Sequence, residues 1–254
     1  MAEVSSSGEV PSGAAPGRTS NASGSGGSRR SISPGEVVSR RGARWTRVPW
    51  TRGAVEMFTL PDPDALLDAL TQEEFDRNDG KMPYWATLWP SALAAAAEVL
   101  GDARGLAGRR VLDLGCGLGL VGMAALARGA HVTFLDWEAD AVALAVASAF
   151  AAGFSAVEGV VADWRSPPTM AVFDRVLGAD VLYEARNGPG VARFLAGHVA
   201  PSGEAWVVDP GRLHAERFPE DLAAAGMALV ERRALPPAGE ARTLTLWRSA
   251  RRPT

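Results

Sequence analysis

From residue 110 onward, short apolar runs alternate with longer segments of helical periodicity. An apolar run of four to eight residues between turn residues predicts a buried strand. Strands are predicted at Arg110–Leu114, His131–Asp136, Val157–Ala162, Val172–Ala179 and Ala205–Asp209. Helices are predicted between and after them at Leu120–Arg128, Glu138–Ala152, Pro189–Val199 and Pro219–Ala225. Such alternation is typical of a mainly parallel sheet with helices on both faces, so the pattern predicts a doubly wound α/β domain.

The two ends of this region have different patterns. Ala228–Leu235 and Arg242–Arg248 are apolar runs with only a short Pro-Pro-Ala-Gly link between them, which predicts an antiparallel strand pair. Upstream, Trp45–Pro49 and Val55–Leu60 predict a short hairpin. Two helices are expected after the hairpin, at Ala65–Leu70 and Ala92–Leu100. The predicted fold is therefore a seven-stranded sheet with a C-terminal antiparallel pair and a small N-terminal cap.

The first 40 residues have a composition unlike that of a folded domain. They contain 11 Ser and 7 Gly with few large apolar side chains, too little to offset the entropy of ordering. The pairs Arg29–Arg30 and Arg40–Arg41 are interpreted as solvated tail residues rather than as an anion site. The predicted division is a disordered tail at 1–44, a hairpin and helix extension at 45–100, and the main domain at 101–254.

Composition excludes several classes of function. The 254 residues carry a net charge of −3, and this balance disfavours a general nucleic-acid binder. A lone cysteine, Cys116, excludes an internal disulfide or a multi-cysteine metal site, and three scattered histidines give no metal-ligand spacing. No metal is expected. No apolar run reaches the length of a membrane span, and no signal pattern opens the chain, so we expect a cytoplasmic protein without membrane attachment.

The sharpest local signal is a glycine-rich turn. A buried strand runs into Gly115, Gly117 and Gly119 and then into a helix. Glycine permits a tight turn and close approach of a ligand to the backbone. Asp136 ends the next strand, where a carboxylate can accept hydrogen bonds from both ribose hydroxyls. Because Gly117, Gly119 and Gly122 also fit the dinucleotide spacing G-x-G-x-x-G, the loop alone leaves a nicotinamide or flavin enzyme open.

Four segments together resemble the class I S-adenosylmethionine-dependent methyltransferases. They are Pro83–Ser91 (PYWATLWPS), Asp113–Gly119 (DLGCGLG), Ala162–Trp164 (ADW) and Gly178–Tyr183 (GADVLY). The likeness covers roughly residues 45–250. It is greatest to the seven-strand protein-lysine methyltransferase group that includes the electron-transfer-flavoprotein β-subunit lysine methyltransferase. The resemblance implies a Rossmann-like fold and S-adenosyl-L-methionine as the cofactor.

The resemblance also assigns roles to individual residues. Asp180 and Tyr183 are the implied catalytic pair, with Asp180 orienting the acceptor amine rather than acting as a strong base. Trp85 stays open between the cofactor site and simple packing, and Cys116 is interpreted as a small turn residue rather than a nucleophile. Asp174 and Glu184 are expected to be a turn residue and a solvated side chain. The implied cofactor-binding residues are Trp89, Asp113, Gly115, Cys116, Gly117, Gly119, Asp136, Trp137, Asp163, Trp164 and Ala179.

These observations predict an N-methyltransferase, with a lysine of a protein as the expected acceptor. A small-molecule amine of the nicotinamide type is an alternative acceptor. An RNA methyltransferase is disfavoured by charge and by Ala179–Tyr183 standing where an Asn/Asp-Pro-Pro-Tyr/Phe motif would be. A non-catalytic module that binds S-adenosylmethionine or a dinucleotide is a further alternative. Lys81 is the single lysine of the chain, so self-methylation of a side chain is expected there or nowhere.

Overall fold

An eight-stranded sheet forms the centre of the computed structural model, which describes residues 19–21, 33–50, 53–77, 80, 82–236 and 243–252. The strand order is β1-β6-β5-β4-β7-β8-β10-β9, and only the pairs β8–β10 and β10–β9 are antiparallel. The strands are β1 Thr19–Asn21, β4 Arg110–Leu114, β5 His131–Asp136, β6 Val157–Val161, β7 Phe173–Ala179, β8 Val199–Asp209, β9 Met227–Leu235 and β10 Leu244–Arg251. A separate hairpin pairs β2 Arg44–Trp50 with β3 Gly53–Thr59.

Helices cover both faces of the sheet. They are α1 Pro34–Arg40, α2 Asp64–Asp68, α3 Gln72–Arg77, α4 Pro90–Gly101, α5 Leu120–Ala127, α6 Ala139–Ala151, α7 Asn187–His198 and α8 Phe218–Ala224. One apolar core contains α4, α5, α6, α1 and the hairpin, and a second core on the opposite face contains α7 and α8. This arrangement confirms the predicted doubly wound, mainly parallel sheet with its antiparallel strand pair. All seven predicted strands are present, and β1 adds an eighth by pairing in parallel with β6.

The predicted tail boundary at residue 44 is wrong for the residues just before it. Residues 34–40 form helix α1, whose Val37 is fully buried in the first core. Arg40 and Arg41 both bind the carboxylate of Asp140 in the first turn of α6, with Arg41 Nε at 2.7 Å from Oδ2. These two arginines are therefore not solvated tail residues, because they attach α1 to the domain. Arg29–Arg30 and Lys81 lie outside the described residues.

The chain reverses direction in the sheet between β4 and β7, and this reversal positions the site. From β4 the chain builds outward through β5 and β6, returns to β7 beside β4, and continues through β8 on the other side. Open α/β sheets bind ligands in the crevice at the carboxyl ends of the strands next to such a switch point. The glycine loop after β4 and the Asp180 turn after β7 therefore flank one crevice.

Two features are absent from the described part of the chain. No helix within it is long and apolar enough to cross a membrane. No group of three or more His, Cys, Asp or Glu side chains within it is placed to hold a metal ion. The cytoplasmic location stays a prediction.

Candidate cofactor and acceptor site

A cavity of about 300 Å³ opens at the switch point. Its size lies at the lower end of the range of small-molecule sites. Most of the predicted site residues line it: Trp89, Asp113, Gly115, Cys116, Gly117, Asp136, Trp137, Trp164, Ala179, Asp180 and Tyr183. Trp85, which the sequence left open, lines it as well. The fold thus brings four sequence segments, separated by up to about 100 residues in the chain, to a single cavity.

The glycine loop needs its glycines for backbone geometry and for space. Gly115, Gly117 and Gly119 all have positive φ, at 62°, 51° and 86°. A Cβ on Gly117 would lie 3.0 Å from the carbonyl oxygen of Trp85, so the loop and the Trp-Pro segment approach each other closely. Gly119 does not line the cavity; it is the N-cap residue of α5, and its Cβ would lie 2.6 Å from that of Ala145. The positive φ values and these close approaches to other parts of the protein together require glycine at these positions.

Gly122, the third glycine of the dinucleotide spacing, has a packing role. It lies inside α5, and a Cβ there would lie 2.2 Å from Cε1 of Phe134. Its N–H donates to Oδ2 of Asp113 at 2.8 Å. Close packing of α5 on the sheet therefore explains the glycine without a bound pyrophosphate.

Asp113 and Asp136 give the cavity floor an acidic character. Asp113 is buried, and this burial, with the nearby charge of Asp136, raises its pKa to about 8. Asp136 ends β5, and its Oδ2 accepts the N–H of Gly117 while Oδ1 accepts the N–H of Glu138, each at 3.0 Å. Each carboxylate oxygen has two lone pairs, so Asp136 can hold the loop and still accept further hydrogen bonds.

Cys116 behaves as a buried turn residue. Burial and the charges of Asp136 and Asp113 raise the pKa of its thiol well above the usual value. Because the thiolate is the nucleophilic form, a thiol held in this state is inert.

Aromatic rings form part of the cavity wall. The Tyr84 ring contacts both Trp89 and Tyr183 edge-on, with centroid separations of 5.8 Å in each case. Trp89 Nε1 donates to the carbonyl oxygen of Tyr84 at 3.0 Å, which fixes the indole. Burial raises the pKa of the Tyr183 phenol to about 12, so this phenol is a neutral donor at ordinary pH. A cationic ligand in the cavity would be attracted to these ring faces.

Asp180 has an unusual backbone conformation. Its φ of 57° is the only positive value at a non-glycine position among the described residues. Its N–H donates to the carbonyl oxygen of Val208 at 2.9 Å, which holds this turn against β8. Asp tolerates the left-handed region better than most residues, and such outliers cluster at functional sites. The turn places the carboxylate in the cavity, where burial raises its pKa.

Arg212 is the site residue that the sequence analysis missed. Its Nε and Nη2 both donate to Oδ1 of Asp180, at 3.0 and 2.7 Å. It lines the same cavity and is the only cationic side chain among the described lining residues. Asp209 ends β8 and accepts the backbone N–H of Gly211 and of Arg212 at 2.8 Å each, so it holds this turn. Asp209 ends a predicted strand, as Asp136 does, so the sequence offered a signal for this turn. It offered none for the contact of Arg212 with Asp180.

The positions of Asp163 and Glu184 in the structure differ from those predicted from the sequence. Asp163 lies outside the main cavity and borders a small adjoining one, and its carboxylate binds Arg165 at 2.7 Å. Glu184, expected to be solvated, lines both cavities and pairs with Arg186. Trp164 is buried between the two cavities, so it remains beside any ligand that enters either one.

The sheet order, the glycine loop after β4 and the acidic end of β5 are the features expected of a class I S-adenosylmethionine-dependent methyltransferase domain. Residues 94–180 match the family model of the methyltransferase small domain. The match ends at Asp180, so it includes the glycine loop. It supports the predicted methyltransferase class, for which S-adenosylmethionine is the expected cofactor.

Known relatives support the same class. The chain is 30% identical over 135 residues to the electron transfer flavoprotein beta subunit lysine methyltransferase of Danio rerio, covering 53% of this chain and 52% of that protein. It is also 30% identical over 176 residues to the ribosomal protein L11 methyltransferase of Xanthomonas oryzae, covering 69% of this chain and 51% of the relative. The chain thus spans about half the length of both relatives.

A solved structure shares the fold. The N-methyltransferase NodS of Bradyrhizobium japonicum, in complex with S-adenosyl-L-homocysteine, matches with a TM-score of 0.52 at 17% identity. The match covers 62% of this chain and 86% of that one.

Proposed function

We propose that this protein is an S-adenosylmethionine-dependent N-methyltransferase that methylates a lysine side chain of a protein. The observation that carries the proposal is the buried Asp180 carboxylate, which lines the same cavity as the glycine loop and is paired with Arg212. Two of the relatives support a protein acceptor, since their names refer to methylation of a flavoprotein subunit and of a ribosomal protein.

The cavity has features that suit the cofactor. The glycine loop and the carboxylate of Asp136, at the end of β5, both border the cavity. These groups would hold the amino-acid and ribose parts of S-adenosylmethionine, and Trp164 would contact its base. When bound, the cofactor supplies a methyl group on a sulfonium, which is already a good leaving group.

The chemistry that remains for the protein is alignment. A lysine must lose a proton before its nitrogen can accept a methyl group, and we assign this proton to water. Asp180 would accept a hydrogen bond from the amine and hold its lone pair in line with the methyl group. Tyr84 and Tyr183 would contact the aliphatic stem of the lysine, which an aromatic wall accommodates better than a polar one.

The test uses labelled S-adenosylmethionine and a protein extract, with tryptic mapping of the labelled residue. Wild type and Asp180→Asn are compared on a Lys81→Arg background, which removes the chain's own lysine as an acceptor. We expect label on lysine with wild type and at least about a hundredfold less with Asp180→Asn, while both bind S-adenosylhomocysteine. Label confined to small amines would move the proposal to a small-molecule acceptor, and label in RNA or in nothing would refute it.

A further inference from the structure

We propose that Arg212 is a positioning residue for methyl transfer: it binds one oxygen of Asp180, keeps that carboxylate ionised and leaves the other oxygen for the acceptor amine. The inference rests on the proposed function, because it explains the acceptor side of the same cavity. It is carried by the contacts of Arg212, by the turn that holds it and by the charges around Asp180.

The contacts of Arg212 with Asp180 are one-sided. Both guanidinium donors, Nε at 3.0 Å and Nη2 at 2.7 Å, bind the same atom, Oδ1. Arg212 therefore does not occupy Oδ2. A planar guanidinium presents two fixed donors to Oδ1, whereas an ammonium would supply only a point charge. An amine that approaches Oδ2 meets a carboxylate whose other oxygen is already held by Arg212.

The backbone around Arg212 is held in place at several points. Asp209 Oδ1 accepts two N–H groups of this turn, and Gly211 has a φ of 85°. A Cβ on Gly211 would lie 3.0 Å from Oγ1 of Thr243, so the turn also packs against the residue before β10. Two residues beyond Arg212, a ring nitrogen of His214 contacts the carbonyl oxygen of Leu182. The segment is thus joined to the Asp180–Tyr183 motif both at a side chain and at the backbone.

Apart from Arg212 and a side-chain hydrogen bond with Ser91, the surroundings of Asp180 oppose its charge. The side chain is only 6% exposed, and desolvation favours the protonated form. The titratable and polar groups around it come from every element that meets there: Arg212 and Asp209 from the β8 side, Ser91 from α4, Asp113 from β4, Asp136 from β5, and Tyr183 and Glu184 from its own loop. Among these groups Arg212 is the cation, so its loss should raise the pKa of Asp180 further.

The test measures Asp180 directly and needs no acceptor. The full-length protein is labelled with ¹³C-aspartate, and the Asp180 carboxyl carbon is assigned by its absence in Asp180→Asn. In Arg212→Gln we expect the titration midpoint to move upward by at least about one pH unit. Arg212→Lys should move it less, because the charge is kept. Arg217→Gln is the matched control, since Arg217 is an exposed arginine of the same segment and does not line the cavity.

The kinetic part of the test follows methyl transfer against pH with saturating cofactor. In Arg212→Gln we expect the acidic limb of the rate profile to move upward with the carboxyl midpoint. We expect the rate at neutral pH to fall about tenfold or more, with affinity for S-adenosylhomocysteine unchanged. Arg212→Lys should be faster than Arg212→Gln, because it keeps the charge. If Arg212→Gln does not fold, the same comparison with wild type is made with Arg212→Lys.

Three results separate the possible failures. An unmoved carboxyl midpoint in Arg212→Gln overturns the inference, as does a moved midpoint that the acidic limb does not follow. A wild-type protein that methylates no amine refutes the proposed function instead. In that case the carboxyl titration still shows whether Arg212 keeps Asp180 charged.

Discussion

Replacing Asp136 with Asn should weaken cofactor binding far more than its small change in shape suggests. The side chain is 5% exposed, and each of its oxygens accepts one backbone N–H at 3.0 Å. Asn keeps one oxygen but presents an NH₂ group where the other stood. One of the two donors, Gly117 N–H or Glu138 N–H, then loses its acceptor, and the charge that would receive the ribose hydroxyls is gone.

The expected magnitude follows from the type of hydrogen bond that is lost. A hydrogen bond to a charged group contributes about 1.5–3 kcal/mol, and each 1.4 kcal/mol is a factor of ten in affinity. Asp136→Asn should therefore raise the dissociation constant of S-adenosylhomocysteine by about 10- to 150-fold. Glu158→Gln is the matched control, because Glu158 is an exposed acidic residue on the neighbouring strand β6.

The assay is calorimetric titration with S-adenosylhomocysteine and with an analogue that lacks the ribose hydroxyls. If Asp136 contacts the ribose, the analogue should bind wild type weakly and should lose little more in Asp136→Asn. If the effect came only from the loop, both ligands would lose the same factor in the variant. Equal affinity of wild type and Asp136→Asn for S-adenosylhomocysteine would refute the assigned role.

Three further predictions concern pH, packing and the N-terminal helix. The pKa of Asp113 is raised from 3.8 to about 8 in the folded state. Between these pH values the folded state holds a proton that the unfolded state has lost, so the free energy of unfolding falls as pH rises. In urea unfolding, the free energy of unfolding of Asp113→Asn should therefore depend less on pH between pH 6 and 8 than that of wild type. Gly122→Ala should gain about 1 kcal/mol from helix propensity, but the overlap of the new Cβ with Phe134 should cost about 1–3 kcal/mol or more. The melting temperature should therefore fall, and adding Phe134→Leu should recover part of the loss. Arg41→Gln should cost less than about 1 kcal/mol in urea unfolding because its guanidinium is partly exposed, whereas Asp140→Ala should cost more, since it removes the acceptor that both α1 arginines share.

The parallel strands could be predicted from the sequence because their signal is local. The bounds of β4 and β5 match the predicted Arg110–Leu114 and His131–Asp136, since each is an apolar run that ends at a turn residue or a carboxylate. The same holds for the site residues that directly follow these strands. A residue at the carboxyl end of a parallel strand beside the switch point lies at the crevice, whereas Asp163, after the more distant β6, borders only the small adjoining cavity.

Helix α1 and Arg212 could not be found in this way, because their roles depend on distant partners. Helix α1 has only seven residues and follows directly on the Ser/Gly-rich tail, and what holds it is burial of Val37 and two arginines on Asp140, about 100 residues away. Arg212 meets Asp180 across 32 residues, and only the neighbouring positions of β7 and β8 in the sheet bring the two together. Local patterning carries no information on such pairs.

The five central parallel strands each carry an aspartate within two residues of the carboxyl end, and these aspartates differ in what they bind. Asp113, Asp136 and Asp209 accept backbone N–H groups of the segments that follow. Asp163 accepts the backbone N–H of Arg165 and also binds its side chain, whereas Asp180 binds the side chain of Arg212. A carboxylate bound by backbone is fixed with its loop, whereas one bound by a side chain depends on a residue that can be substituted without changing the fold. Of the two arginine-bound aspartates, only Asp180 lines the main cavity, so substitution of Arg212 is the change expected to alter acceptor chemistry while leaving cofactor binding intact.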